Sequence, residues 1–115
     1  MGAQAIRLLF EPVRSLAYTS VASGYTAIGT PLVYPARQIF VQNDTDVTLM
    51  FSIDGVNDHF PLPTSGFLLL DITSNKTHEQ GFYIGQGTTF YVKEVGSPST
   101  GTVYVSVMYG KPSAS

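Results

Sequence analysis

Alternation of apolar and polar residues with a period of two is the strongest constraint on this chain. Val47, Leu49, Phe51 and Ile53 occupy every second position, with Thr48, Met50 and Ser52 between them. Successive side chains of an extended strand point to opposite faces, so this spacing predicts a half-buried strand over residues 47–53. Residues 102–109 repeat the pattern: Val103, Val105, Val107 and Tyr109 share one face, and Thr102, Tyr104, Ser106 and Met108 the other. In residues 88–95, Phe90 and Val92 oppose Thr89, Tyr91 and Lys93. Residues 15–22 and 37–42 alternate more loosely. Residues 66–73 are apolar on both faces at Phe67, Leu68, Leu69 and Leu70, which suits a central strand or one covered by a partner. A further short strand is predicted at residues 82–84.

The punctuation between these runs agrees with strands. Residues 43–46 (Asn-Asp-Thr-Asp) read as a turn, Asp54-Gly55 is a hairpin-type dipeptide, and Gly-rich segments at 85–87 and 96–101 bracket one strand. Pro61 and Pro63 remove ladder donors, which places residues 60–62 at a sheet edge or in a loop. No stretch sustains a 3.6-residue period. The expectation is one all-β domain, an antiparallel β-sandwich of jelly-roll or Ig-like type with six to eight short strands. It spans residues 15–110, with an extended N-terminal arm (1–14) and a C-terminal tail (111–115).

Composition narrows the function. Only 12% of the 115 residues are charged, against roughly a quarter in typical soluble domains. A net charge of −2 argues against nucleic-acid binding, which needs a basic stripe. No apolar run is long enough to span a membrane as a helix, and no secretory signal pattern is visible at the N-terminus. The chain has no cysteine, which excludes disulfides, zinc fingers and thiol nucleophiles together. The Asn-x-Thr sequons at Asn43 and Asn75 read as turn residues rather than glycosylation sites.

Reactive constellations are not evident. Asp54, Asp58 and His59 carry ligand types suited to a divalent cation, but without calcium-loop spacing, and they read as a polar turn. His78 falls in a surface-type loop, no Ser sits in a nucleophile-elbow motif, and Gly85-Gln86-Gly87 precedes a strand rather than a helix. Among the acids only Asp71 and Glu94 fall inside predicted strands; Asp71 is expected to face solvent, cap a turn or pair with an Arg. The chain is therefore expected to hold no catalytic, cofactor or metal site, and not to be an enzyme.

What remains is a surface rich in Tyr and Phe and poor in Lys and Glu, a bias of protein contacts. The candidate contact residues are Ile6, Leu8, Leu9 and Phe10 in the arm, and Tyr25, Ile28, Leu32 and Tyr34 in the long connection 24–35, together with Phe60. That connection serves either as a contact surface or as packing over the sandwich end. The arm is placed to dock on an adjacent subunit. An alternative is a carbohydrate- or receptor-binding module with Tyr18, Tyr25, Tyr34 or Tyr104 as stacking platforms.

Segments 14–16 and 24–32, then 43–46, 51–55 and 58–59, and later 70–76, 103–105 and 109–110, resemble small virion proteins encoded among the head genes of tailed bacteriophages. The likeness spans about residues 14–110 and lies in strands and turns rather than in a catalytic signature. It implies a structural role in the virion, as a decoration or cement protein on the capsid or as a ring component at the head–tail neck. The implied partners are copies of the chain and neighbouring capsid, portal or connector proteins.

Overall fold

Period-two patterning becomes two antiparallel sheets packed face to face. The structure, a computed structural model, describes the backbone of residues 6–71 and 85–112 and the side chains of residues 9–71 and 85–110. The first sheet contains β1 (Ile6–Phe10), β2 (Arg14–Ala17), β4 (Ala36–Thr45), β7 (Phe67–Asp71) and β9 (Gly101–Pro112). The second contains β3 (Thr26–Ala27), β5 (Leu49–Ser52), β6 (Phe60–Leu62) and β8 (Tyr91–Glu94), in the spatial order β3-β8-β5-β6. In the first sheet β9 is the axis. It pairs with β4 along one edge, and with β2 and then β1 along the other, while β7 adds to the far side of β4.

The core lies between the sheets, as a sandwich requires. Ile39 and Val41 of β4 and Val103, Val105 and Val107 of β9 face Leu49 and Phe51 of β5, Val92 of β8 and the neighbouring Phe90; all are buried. Leu68 and Leu70 of β7 and Leu16 of β2 pack against this cluster from the margin. The rings of Phe51 and Phe60 stack at 5.3 Å between centroids. Each of the larger side chains contributes about 1.5–3 kcal/mol through burial.

The connection 24–35 departs from a free contact loop. Ile28 and Leu32 are core residues, not surface tips. The Ile28 N–H donates to the Phe90 carbonyl at 2.7 Å, and the Leu32 N–H to the Thr88 carbonyl at 2.8 Å. With β3 paired to β8, the connection runs as a ragged edge along the second sheet, and its two aliphatic side chains turn inward to fill it. The strand predicted over 88–95 shortens to Tyr91–Glu94. Other boundaries shift too. The strand expected over 15–22 ends at Ala17 and gives way to a 3-10 turn, Tyr18–Ser20, whose Tyr18 carbonyl accepts the Val21 N–H. β7 is the outermost strand of its sheet among the described residues, rather than central, yet it is apolar on both faces. Residues 6–10, expected as part of an arm docking on another subunit, pair with the far end of β9 in their own chain; residues 111–112, expected in the tail, lie in that end of β9. The predicted strand at 82–84, His78 and the Asn75 sequon lie outside the described residues, as do the side chains of Ile6 and Leu8.

Asn43 was expected in a turn but lies inside β4, 1% exposed. Its Nδ2 donates to the carbonyls of Val47 (2.8 Å), Leu62 (2.9 Å) and Pro63 (3.2 Å), and its Oδ1 accepts from the Thr45 N–H and hydroxyl. A strand of the first sheet is thereby tied to β6 of the second through a single amide. The nitrogen that a glycan would need is consumed in the interior. Replacing this amide strands buried carbonyls, whose desolvation is costly. Asn43→Ala is expected to lower unfolding free energy by about 2–4 kcal/mol in urea titration; a loss under about 1 kcal/mol would show that the carbonyls find other partners.

Candidate functional site

Pro12 has no N–H to give to β9, and the edge pairing breaks there. Phe10 is opposite Met108 and Arg14 opposite Val105, so three residues on one strand face two on the other. That extra residue is a β-bulge, with the Glu11 N–H still reaching the Val107 carbonyl at 3.0 Å. In a regular strand, residues three apart lie on opposite faces. The bulge brings Glu11 and Arg14 to the same inner side, where both are buried.

There they form an ion pair with Arg14 Nη2 2.6 Å from Glu11 Oε1. Arg14 also donates to the carbonyls of Thr30 (2.7 Å) and Pro31 (3.0 Å), while the Glu11 carboxylate accepts the N–H groups of Val33 (3.1 Å) and Tyr34 (3.0 Å). The pair thus stitches the connection 24–35 onto the edge of the first sheet. Gly29 makes the approach possible: its φ is +71°, and a Cβ there would lie 2.8 Å from Arg14 Cγ. Burial pushes the Glu11 carboxyl up, but the hydrogen bond from Arg14, the two backbone N–H groups and the Arg14 charge outweigh it and hold the group below its ordinary range. Above the pair lies an open groove of about 350 Å³, with Pro12, Val13, Thr30 and Val33 among its walls. Val13 and Val33 expose their side chains there, and Tyr34 is stacked on Tyr109 with centroids 4.0 Å apart.

A second polar cluster forms in the loop after β5. Asp54 Oδ1 accepts the N–H groups of Val56 and Asn57 and the Ser52 hydroxyl, and Asp54 Oδ2 accepts the Asn57 amide. The backbone bonds from Asn57 and Val56 are the leading cause of a carboxyl held far below its ordinary range. His59 Nδ1 accepts the Ile53 N–H at 3.0 Å. Ser52, Asp54 and His59 are near one another without acting as a triad: Ser52 is buried, and its hydroxyl donates to Asp54 rather than to the imidazole. Asp58 Oδ1 accepts the Tyr25 hydroxyl at 2.5 Å and sits 2.9 Å from Lys93 Nζ, which itself lies over the Tyr25 ring. Burial and the Asp58 carboxylate push the Tyr25 hydroxyl up to about 12. Asp54, Asp58 and His59 are therefore occupied by turn bonds, a tyrosine and a lysine, and no group of three metal-ligating side chains converges among the described residues.

The contact candidates end up in different places. Phe10 is exposed, Leu9 half-buried opposite Tyr109, and Phe60 half-buried against Phe51. Tyr25 belongs to the Asp58–Lys93 cluster, and Tyr34 stacks on Tyr109 with its N–H bonded to Glu11. Glu11 and Arg14 were not singled out by pattern; an acid and an Arg three apart around a proline is the signal that marks them. Comparison of the chain with protein-family models, with curated proteins and with solved structures found no match.

Breaking one half of a buried pair leaves an uncompensated charge. Glu11→Gln is expected to cost about 3 kcal/mol at neutral pH. Because the folded carboxyl sits below the 4.5 of the free group, its contribution is complete above that value and disappears as pH falls through the lower folded value. Unfolding free energy measured from pH 7 to 2 is expected to show a shallower acid decline in Glu11→Gln than in the parent chain. Parallel curves would remove the pair from the stability of the fold.

Proposed function

We propose that this chain is a structural virion protein of a tailed bacteriophage, a non-enzymatic β-sandwich that works by multivalent contact on the capsid surface or at the head–tail neck. The observation that carries this reading is the distribution of exposed apolar side chains over separate faces. Phe10, Phe67 and Leu69 lie on the outer side of the first sheet; Val13 and Val33 line the groove over the ion pair; Ile53 and Val56 sit on the loop after β5. Contiguous apolar exposure on a small domain marks interaction surfaces. Several such patches facing different ways suit a protein with several neighbours, where weak contacts add through effective concentration. The resemblance to phage head-gene products supplies the setting, and the occupied Ser52, Asp54 and His59 leave no free reactive set at that loop. The sugar-binding alternative is less well supported, because Tyr25 is covered by Lys93 and bonded to Asp58 and Tyr34 is stacked on Tyr109.

The test is where the chain goes. In particles purified on a density gradient from infected cells, the chain is expected to co-sediment in multiple copies. Electron cryomicroscopy is expected to place it at symmetry-related sites on the shell or as a ring at the neck. A chain missing from particles that also binds no heads, connectors or tails overturns the proposal.

A further inference from the structure

The outer face of the first sheet should carry the polar half of its alternation, but much of it is apolar. Cross-strand register brings the outward residues together. Phe10 is opposite Met108 on β9; Phe40 of β4 lies between Ser106 and Leu69; Gln42 lies between Tyr104 and Phe67. Phe10, Phe67 and Leu69 are 68%, 63% and 57% exposed, and the Phe40 and Phe67 rings meet at 5.4 Å. The other outward positions across β4, β9 and β2 are largely neutral, including Gln38, Gln42, Ser106 and Ser15. Asp44 and Asp71 stand at opposite ends of this surface.

We infer that this face pairs with the same face of a second copy of the chain. Size and charge both select that occupant. β7, β4, β9 and the β1–β2 edge contribute 5, 10, 12 and 9 residues; at ~4.8 Å spacing and ~3.4 Å rise they make a surface of about 590 Å², close to the ~600 Å² that each partner of a small standard interface buries. The interior of the face offers no charge to attract an acidic or basic partner, and none to repel its own image. An isologous two-fold pair therefore buries apolar side chains against apolar side chains and leaves the two carboxylates at the rim. The inference rests on the assembly role proposed above, to which it assigns a first partner.

Sedimentation velocity of the purified chain over a concentration series tests it. A dimer is expected, and Leu69→Lys or Phe67→Lys is expected to raise its dissociation constant at least ~tenfold. Both positions are exposed, so the unfolding midpoint of each variant is expected to match the parent. Val56→Lys, on the loop after β5, is expected to leave the dimer intact. Hydroxyl-radical footprinting of the unsubstituted chain gives a second measurement: oxidation of Phe10, Phe67 and Met108 is expected to fall as concentration rises, with Val56 unchanged. A monomer at every concentration overturns the pairing, whether its rings are open to solvent or shielded by its own chain. So does a dimer indifferent to both lysines while folded, or a footprint that does not change. A chain that pairs but ignores phage particles supports the pairing and overturns the virion role. One that binds particles only as a monomer overturns the pairing and supports the role.

Discussion

The first sheet depends on one strand. β9 supplies the backbone partners of β1, β2 and β4, and three of its valines enter the core. Its start is correspondingly tight: Gly101 has φ +104°, and a Cβ there would lie 2.1 Å from the Asp44 carbonyl oxygen. Close backbone approach at that point is open only to glycine. From it the Val103, Val105 and Val107 register follows, and with it which face of every neighbouring strand looks inward. In a half-buried sheet a one-residue slip would turn the valines out and the tyrosine and serine in.

Two buried polar clusters close the structure where apolar packing cannot. Asn43 joins β4 to the second sheet, and the Glu11–Arg14 pair joins the bulged edge to the connection 24–35. Both sit where the backbone carries unpaired carbonyls or N–H groups in the interior, and both supply partners to those groups, although Arg14 Nη1 itself is buried without a hydrogen bond. A buried ion pair adds little net stability compared with an apolar substitute, but it fixes geometry, because only one arrangement satisfies its donors and acceptors. Here that arrangement holds the groove residues Val13 and Val33 at the surface.

The sandwich was legible because strand alternation is a local signal, readable from Val47–Phe51 and Val103–Tyr109 without knowing what they touch. Ile28 and Leu32 were not legible as core. Their burial comes from bonds to the carbonyls of Phe90 and Thr88, far away in the chain, and glycines and prolines around them look like an ordinary loop. Asn43 reads as a turn former for the same reason: its amide is used non-locally. The ion pair was hidden because the i,i+3 spacing suggests opposite faces until the bulge is known. The apolar outer face was half visible, since residues 67–70 stand out as apolar on both sides, but Phe10, Phe40 and Met108 join it only through register.

The adjacency of β1 and β9 has a consequence for how the molecule forms. The first described strand waits for the last, since Ile6 pairs with Pro112, and the bulge carrying Glu11 cannot lock the middle connection until β9 is in place. Sequence-distant pairing of this kind slows folding, because loop-closure entropy is spent before contacts return it. Until β9 is placed, β1, β2 and β4 lack their common partner. The sandwich is thus completed only when β9 joins, in a cooperative step that sets the register of the whole first sheet at once.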